Sequence, residues 1–232
     1  MTDGKHETPE HVVVIASGGL DSTTLAYMLH AKGSRVALLS FDYGQRHRRE
    51  LVYAVEAART LNVPHDQVDL RGLRWLLAPS ALTDPEIAVP DGHYTADSMR
   101  ATVVPNRNAL MLEIAVAFAI AHHCDAVAFG AHAGDHAIYP DCRQEFIEAF
   151  SRSTHLANEG LLPTSFRVLT PFLSEDKAAI VTIGAKHGVP FDRTWSCYRG
   201  EALHCGTCGT CTERREAFTK AGVADPTEYQ AG

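Results

Sequence analysis

Residues 11–24 read HVVVIASGGLDSTT, and the fold is decided there. Residues 11–16 are a short β-branched run of the kind that fills a strand buried on both faces. Ser17, Gly18 and Gly19 break that run. From 21 or 22 to 32 the apolar residues Leu25, Met28 and Leu29 recur at helical spacing, and Gly33 stands where a helix commonly stops. The unit is therefore strand, glycine turn, helix. Two glycines let the turn aim its N–H groups at one point, and the helix start adds the positive end of its dipole, so the turn can cradle a phosphate. The hydroxyls of Ser17, Ser22, Thr23 and Thr24 add donors. The string is neither a Walker loop nor a three-glycine dinucleotide fingerprint. Its plain alternative is an ordinary helix cap in which Ser and Asp satisfy the first N–H groups.

Outward from this unit the pattern repeats. An apolar run at 35–41 precedes a helix-like stretch at 46–61 and a short strand near 66–70. Two further units follow, with a strongly apolar helix at 108–122, a buried strand at 126–130 and a helix at 144–156, and a charged helix at 212–221 closes the series. Such alternation predicts an α/β fold with a mainly parallel sheet and helices on both faces. Between 71 and 104 the periodicity fails, and Pro79, Pro85, Pro90, Gly72 and Gly92 punctuate the stretch. A loop of this length reads either as an active-site cover or as a surface insertion.

With 232 residues, 45% of them hydrophobic and 21% charged, the chain can bury a core as one large or two small domains. Its 21 Lys and Arg against 28 Asp and Glu give a net charge of −7, which opposes loose attachment to nucleic acid or to an anionic membrane. No run approaches the roughly 18 apolar residues of a membrane span, and residues 1–10 are polar, with no readable role. A cytoplasmic protein is expected.

Cys124 and Cys142 stand alone, whereas Cys197, Cys205, Cys208 and Cys211 form a C-x7-C-x2-C-x2-C cluster. Four thiolates from one local segment can close a tetrahedral shell around a soft divalent ion, zinc being the common occupant, and a closed shell is structural rather than catalytic. An iron–sulfur cluster, free thiols or disulfides remain open on spacing alone. Three more segments, FDYGQRH at 41–47, VPNRN at 104–108 and YPDCR at 139–143, lie where strands end and helices begin, the edge at which α/β proteins bind ligands.

The SGGLDS string resembles that of the PP-loop ATP pyrophosphatases, which hold the pyrophosphate end of ATP while adenylating a substrate. Together with the three segments and the cysteines, it resembles the 7-cyano-7-deazaguanine synthase (QueC) family over residues 12–218. The resemblance implies a Rossmann-like, adenine nucleotide alpha hydrolase-like domain at 1–190 with a C-terminal zinc-binding segment at 191–232 packed on it. It implies a ligase that turns 7-carboxy-7-deazaguanine, ammonia and ATP into the nitrile, with magnesium beside the ATP and one structural zinc per chain. Neither nucleic acid nor membrane is implied as a partner, and a homodimer is. By the same resemblance, the backbone of Ser17, Gly18, Gly19, Leu20, Asp21, Ser22, Thr23 and Thr24 holds the phosphates and Asp21 carries the magnesium. Adenine lies near Phe41 or Gly130, and Arg107 and Lys177 neutralise phosphate or adenylate charge. Tyr43, Gln45, Arg46, Asp135, Tyr139, Asp141 and Arg143 serve the substrate, with Arg143 pairing the carboxylate and Asp141 accepting from the guanine-like edge.

His136 beside Asp135 reads as a metal or substrate pair, or as a loop cap. The chain departs from the family pattern around Lys177, where Ser174, Glu175 and Asp176 precede it and Ala178 and Ala179 follow. Two other readings share the motifs: a PP-loop ligase that transfers a deazapurine or another carboxylate to a protein or a different amine, and a zinc-stabilised nucleotide-binding module without turnover.

Overall fold

The computed structural model describes residues 8–230 apart from 78 and 95. Residues 1–7 of the polar leader lie outside the described residues. The β-branched run becomes β1 (His11–Ile15), and the glycine turn leads into α1 (Leu20–Ala31). The chain continues through β2 (Arg35–Asp42), α2 (Glu50–Leu61), β3 (His65–Asp69), the single-turn α3 (Ala96–Met99) and α4 (Arg107–Ala121). It ends with β4 (Ala126–Ala128), α5 (Gln144–Ala157), β5 (Arg167–Leu169), α6 (Lys177–Lys186) and α7 (Gly209–Ala221).

Five parallel strands pair in the order β3-β2-β1-β4-β5. Strand β1 is central, which explains its apolar character on both faces. Val12 and Val14 pack into the cluster shared with α1, α2, α6 and α7, while Val13 and Ile15 pack into the one shared with α4 and α5. Burying each such side chain contributes about 1.5–3 kcal/mol relative to exposure. The chain winds one way from β1 through β2 to β3 and the other way through β4 and β5, so the crevice between β1 and β4 at their carboxyl ends is the topological switch point.

Three departures from the periodic reading have local causes. Helix α2 begins at Glu50 rather than 46, because Arg46 N donates to Leu82 O at 2.7 Å and draws the intervening residues into turns. Strand β5 and helix α6 occupy a stretch that shows no period. The strand has three residues, and the ten-residue helix starts at a cap, Asp176, whose carboxylate accepts from Ala179 N at 2.8 Å. The stretch at 71–104 is fastened down: Arg46 Nη2 donates to Asp84 O and Ile87 O, Ala81 and Leu82 are buried, and Asp91 bridges to Cys208.

Residues 100–121, which contain α4, are long and apolar enough by composition to cross a membrane. Here Leu112, Ala115, Val116 and Ala119 pack instead against the sheet as core. Helix α7 joins the opposite core through Ala217 and Phe218.

Candidate active site

A cavity of ≈ 220 Å³ opens at the carboxyl ends of β1, β2 and β4. One wall is the glycine turn. Gly18 adopts φ +85°, and a Cβ there would fall 2.0 Å from Glu50 O, so only glycine fits. Gly18 O in turn accepts from Trp195 N at 2.9 Å, which ties the turn to the segment that leads into the cysteines. Ser17 Oγ accepts from Gly19 N at 3.1 Å and Ser22 Oγ from Ser17 N at 3.2 Å. Helix α1 starts without a side-chain cap, and Ser17, Gly19, Leu20, Asp21 and Ser22 face the cavity. A start lacking a capping side chain leaves its first N–H groups free for an anion and is not the ordinary Ser or Asp cap. Thr23 and Thr24 are buried behind the turn and do not line the cavity.

At the mouth of this turn five polar side chains converge from four segments. Lys177 Nζ donates to Asp21 Oδ2 at 2.7 Å, lies 3.0 Å from His132 Nε2 and is 3.5 Å from Glu213 Oε2. Asp135 Oδ1 is 3.6 Å from His132 Nε2, and Asp135 Oδ2 accepts from His132 N at 3.2 Å. Burial works against the Asp21 carboxylate, yet Lys177 and His132 outweigh it and hold its pKa below the usual range. Burial pushes Asp135 up to about 7 and His132 down to about 4. Burial opposes the Lys177 charge as well, but Asp21, Glu213 and Asp135 together raise its pKa. Near neutral pH the cluster thus holds a firm Asp21–Lys177 ion pair, a neutral imidazole and a carboxyl group poised to exchange a proton.

The far wall is aromatic and carries the second cation. Phe41, Tyr43, Phe129, Tyr139 and Tyr198 line it with Met111 and Gly130. Arg107, in the first turn of α4, donates from Nη1 to Tyr43 Oη at 3.2 Å. Glu50 lies on the same wall, accepts from Gln45 Nε2 at 3.1 Å and sits 3.4 Å from His47 Nε2. Burial pushes Glu50 up to about 8 and His47 down to about 3, so both are neutral at pH 7.

Four residues expected at the substrate do not reach the cavity. Gln45 is buried beneath it, bonding Phe41 O and Glu50, and so orients the wall rather than forming it. Arg46 spends its guanidinium on Asp84 O and Ile87 O. Asp141 accepts from Asn108 N at 3.3 Å and Nδ2 at 3.1 Å, fixing the start of α4, and Arg143 is exposed with Nε donating to His136 O at 2.7 Å. Tyr43, Asp135 and Tyr139 do line it, as do Phe41, Gly130, Arg107 and Lys177. His132, Glu213, Glu50, His47, Tyr94 and Tyr198 are additional. Only position could have pointed to them: His132 follows β4, Tyr198 follows Cys197, and Glu213 stands two residues past Cys211. The expected loop cap is real, but His132 and Asp135 make it, and His136 does not line the cavity.

The four clustered cysteines are all buried, with their Sγ atoms within 4.8 Å of one another. Cys205 Sγ and Cys211 Sγ are 3.9 Å apart, against roughly 3.8 Å for the edge of a tetrahedral zinc–thiolate shell. Cys205 N and Cys208 N donate to Cys197 Sγ and Cys205 Sγ at 3.4 and 3.3 Å, as suits thiolates. The donor set fits one metal ion.

Residues 11–222 match the family model for queuosine biosynthesis protein QueC. A 7-cyano-7-deazaguanine synthase of Rhizobium johnstonii is 56% identical over 218 residues, covering 94% of this chain and 91% of the relative. One of Ruegeria pomeroyi is 56% identical over 217 residues, covering 94% and 93%. Among solved structures, a 4-thiouridine synthetase in complex with RNA and bound ATP aligns with a TM-score of 0.52 and 17% identity over 92% of this chain and 50% of that one. At such identity the likeness concerns the fold alone.

Proposed function

Because the chain belongs to the QueC family of queuosine biosynthesis proteins, we propose that its cavity joins 7-carboxy-7-deazaguanine to ammonia at the expense of ATP and dehydrates the product to 7-cyano-7-deazaguanine. The Asp21–Lys177 pair at the mouth of the uncapped glycine turn carries this reading. It puts one acid and one cation beside the place where a helix start attracts phosphate.

A carboxylate is a poor electrophile. The first ATP converts it to an acyl adenylate with loss of pyrophosphate; ammonia then displaces AMP, giving the amide. A second ATP adenylates the amide oxygen with loss of a second pyrophosphate, and departure of AMP together with the two N–H protons leaves the nitrile. The residues supply position and charge rather than covalent chemistry. The turn from Ser17 to Ser22 cradles the pyrophosphate, and Lys177 offsets negative charge as it leaves. Asp135, a buried carboxyl group beside His132 on the cavity wall, stands where it can take the proton that ammonium must release.

Magnesium has donors of the right kind here. Asp21 Oδ1 is buried with no hydrogen-bond partner among the described residues, and Glu213 lines the same cavity. When bound with ATP, the ion would shield phosphate charge at Asp21. The cysteine shell would hold zinc, a closed structural site with no open position.

Purified protein with ATP, magnesium, ammonium and 7-carboxy-7-deazaguanine should yield the nitrile with two AMP per product, read by mass spectrometry. Asp21→Asn should keep the melting temperature within a few degrees and lower turnover by roughly 100-fold or more. Turnover that ends at the amide, or a fully active Asp21→Asn, would overturn the assignment.

A further inference from the structure

Two cations line the cavity, and only one of them is paired. Lys177 has the carboxylates of Asp21 and Glu213 within salt-bridge distance. Arg107 has no carboxylate oxygen within 4.0 Å among the described residues. Its guanidinium donates from Nη1 to Tyr43 Oη and from Nε to Asn108 Oδ1, both at 3.2 Å, and sits 5.7 Å from the Tyr43 ring centroid. Burial opposes its charge, but Tyr43, Tyr198 and Tyr139 outweigh it and raise its pKa. Glu50, on the same wall, keeps its proton because burial pushes it up to about 8, and so supplies no counter-charge.

The guanidinium is thus held by neutral partners, the Tyr43 hydroxyl and ring face and the Asn108 amide oxygen, and lacks the counter-anion that a partly buried cation pairs with most strongly. Its place in the first turn of α4 is unfavourable for a cation as well, unless an anion joins it. Two of its five N–H donors are engaged, which leaves the planar fork able to grip an oxyanion. The surfaces around it, Phe41, Tyr43, Tyr139 and Tyr198 with Met111, suit a flat heterocycle. Arg143, the residue expected to hold a carboxylate, is exposed and bonded to His136 O.

Resting on the ligase reading above, we infer that Arg107, its fork steadied by Tyr43 Oη, receives the carboxylate of the planar substrate and so distinguishes the acid from its neutral amide. The nucleotide has its own cation in Lys177 beside the glycine turn, and Arg107 lines the same cavity, so that a carboxylate held on its fork faces the α-phosphate it must attack. The acid gains a bidentate ion pair, whereas the amide, which enters the second half of the reaction, offers the fork one neutral carbonyl oxygen and no charge to pair.

The test compares wild type with Arg107→Met and Arg107→Lys, using 7-carboxy-7-deazaguanine and separately the corresponding 7-amide, each with ATP. Arg107→Met should raise KM for the acid by roughly 100-fold, change KM for the amide and for ATP by less than about fivefold, and leave zinc content unaltered. Arg107→Lys should recover part of the loss, since it keeps the charge but not the fork. Equal losses with both substrates together with a raised KM for ATP would make Arg107 a phosphate ligand and overturn the proposal, as would unchanged kinetics. Should the variants fail to fold, wild-type protein answers by arginine modification. The acid alone, without ATP, should shield Arg107 from phenylglyoxal, and the amide should not; shielding by ATP and not by the acid would refute the assignment. That experiment needs no turnover, so a chain that binds the acid at Arg107 yet forms no nitrile would separate failure of the ligase reading from failure of this one.

Discussion

Glu50 is a buried carboxyl group whose surroundings favour its neutral form. Burial raises it from an ordinary 4.5 to about 8, although Gln45 and Arg107 pull the other way. A raised folded-state pKa contributes stability that is complete below about 4.5 and is lost as the pH climbs through about 8. Glu50→Gln keeps a hydrogen-bonding group of the same shape with nothing to ionise, so its melting temperature should fall less than that of wild type between pH 6 and pH 9. A difference of at least about 3 °C is expected, roughly 1 kcal/mol in a chain of this size, and parallel melting curves would show that Glu50 ionises freely. His47 and His132 act in the opposite sense. Burial lowers them to about 3 and about 4, so the stability they confer is present above about 6.5 and lost as the pH falls through those values.

Helix α6 shows how one cap can reach the chemistry. Asp176 accepts from Ala179 N at 2.8 Å, and the next residue is Lys177, which therefore projects from the first turn of a fixed helix toward Asp21. Among Ser174, Glu175 and Asp176, which precede Lys177, Asp176 is that cap. Asp176→Ala should cost about 1 kcal/mol of stability through the lost cap, while the exposed pair with Lys220 adds little. Because the frayed turn is the one that holds Lys177, turnover should fall several-fold more than the stability loss explains at a temperature where the variant is folded. Thermal melts and AMP release measured on the same preparation test this. Activity equal to wild type would show that Lys177 is held by Asp21 and Glu213 alone. Gly18 makes the matching point at the start of α1, where the close approach of Glu50 O leaves no room for a side chain.

Across the molecule, the cysteine cluster and the cavity form one construction. Trp195, two residues before Cys197, donates its N–H to Gly18 O, and α7 begins at the cluster and carries Thr210 and Glu213 into the cavity. Arg214, buried between them and the core, bonds Thr194 Oγ1 at 2.8 Å and Phe191 O at 2.9 Å. Losing the metal should therefore disturb the phosphate turn and the Lys177 cluster together. Cys208→Ser should release the bound zinc, lower the melting temperature by about 5 °C or more and abolish AMP formation. Metal content and melting temperature equal to wild type would remove the four-cysteine site.

What is local could be read along the chain: the buried run and glycine turn that make β1 and α1, the alternation that makes the sheet parallel, and the four cysteines close enough in the chain to share an ion. Each of these depends on neighbours within a few residues, so backbone preference and spacing suffice to read it. Which polar side chains share the cavity depends instead on long-range packing. Lys177 meets Asp21 across 156 positions, and Glu213 arrives from the cysteine segment. Asp141 and Arg143, at the right sheet edge by sequence, turn to Asn108 and to His136 O instead. Where a side chain points is set by the turn it rides on and by partners far away in the chain, and no local pattern records either.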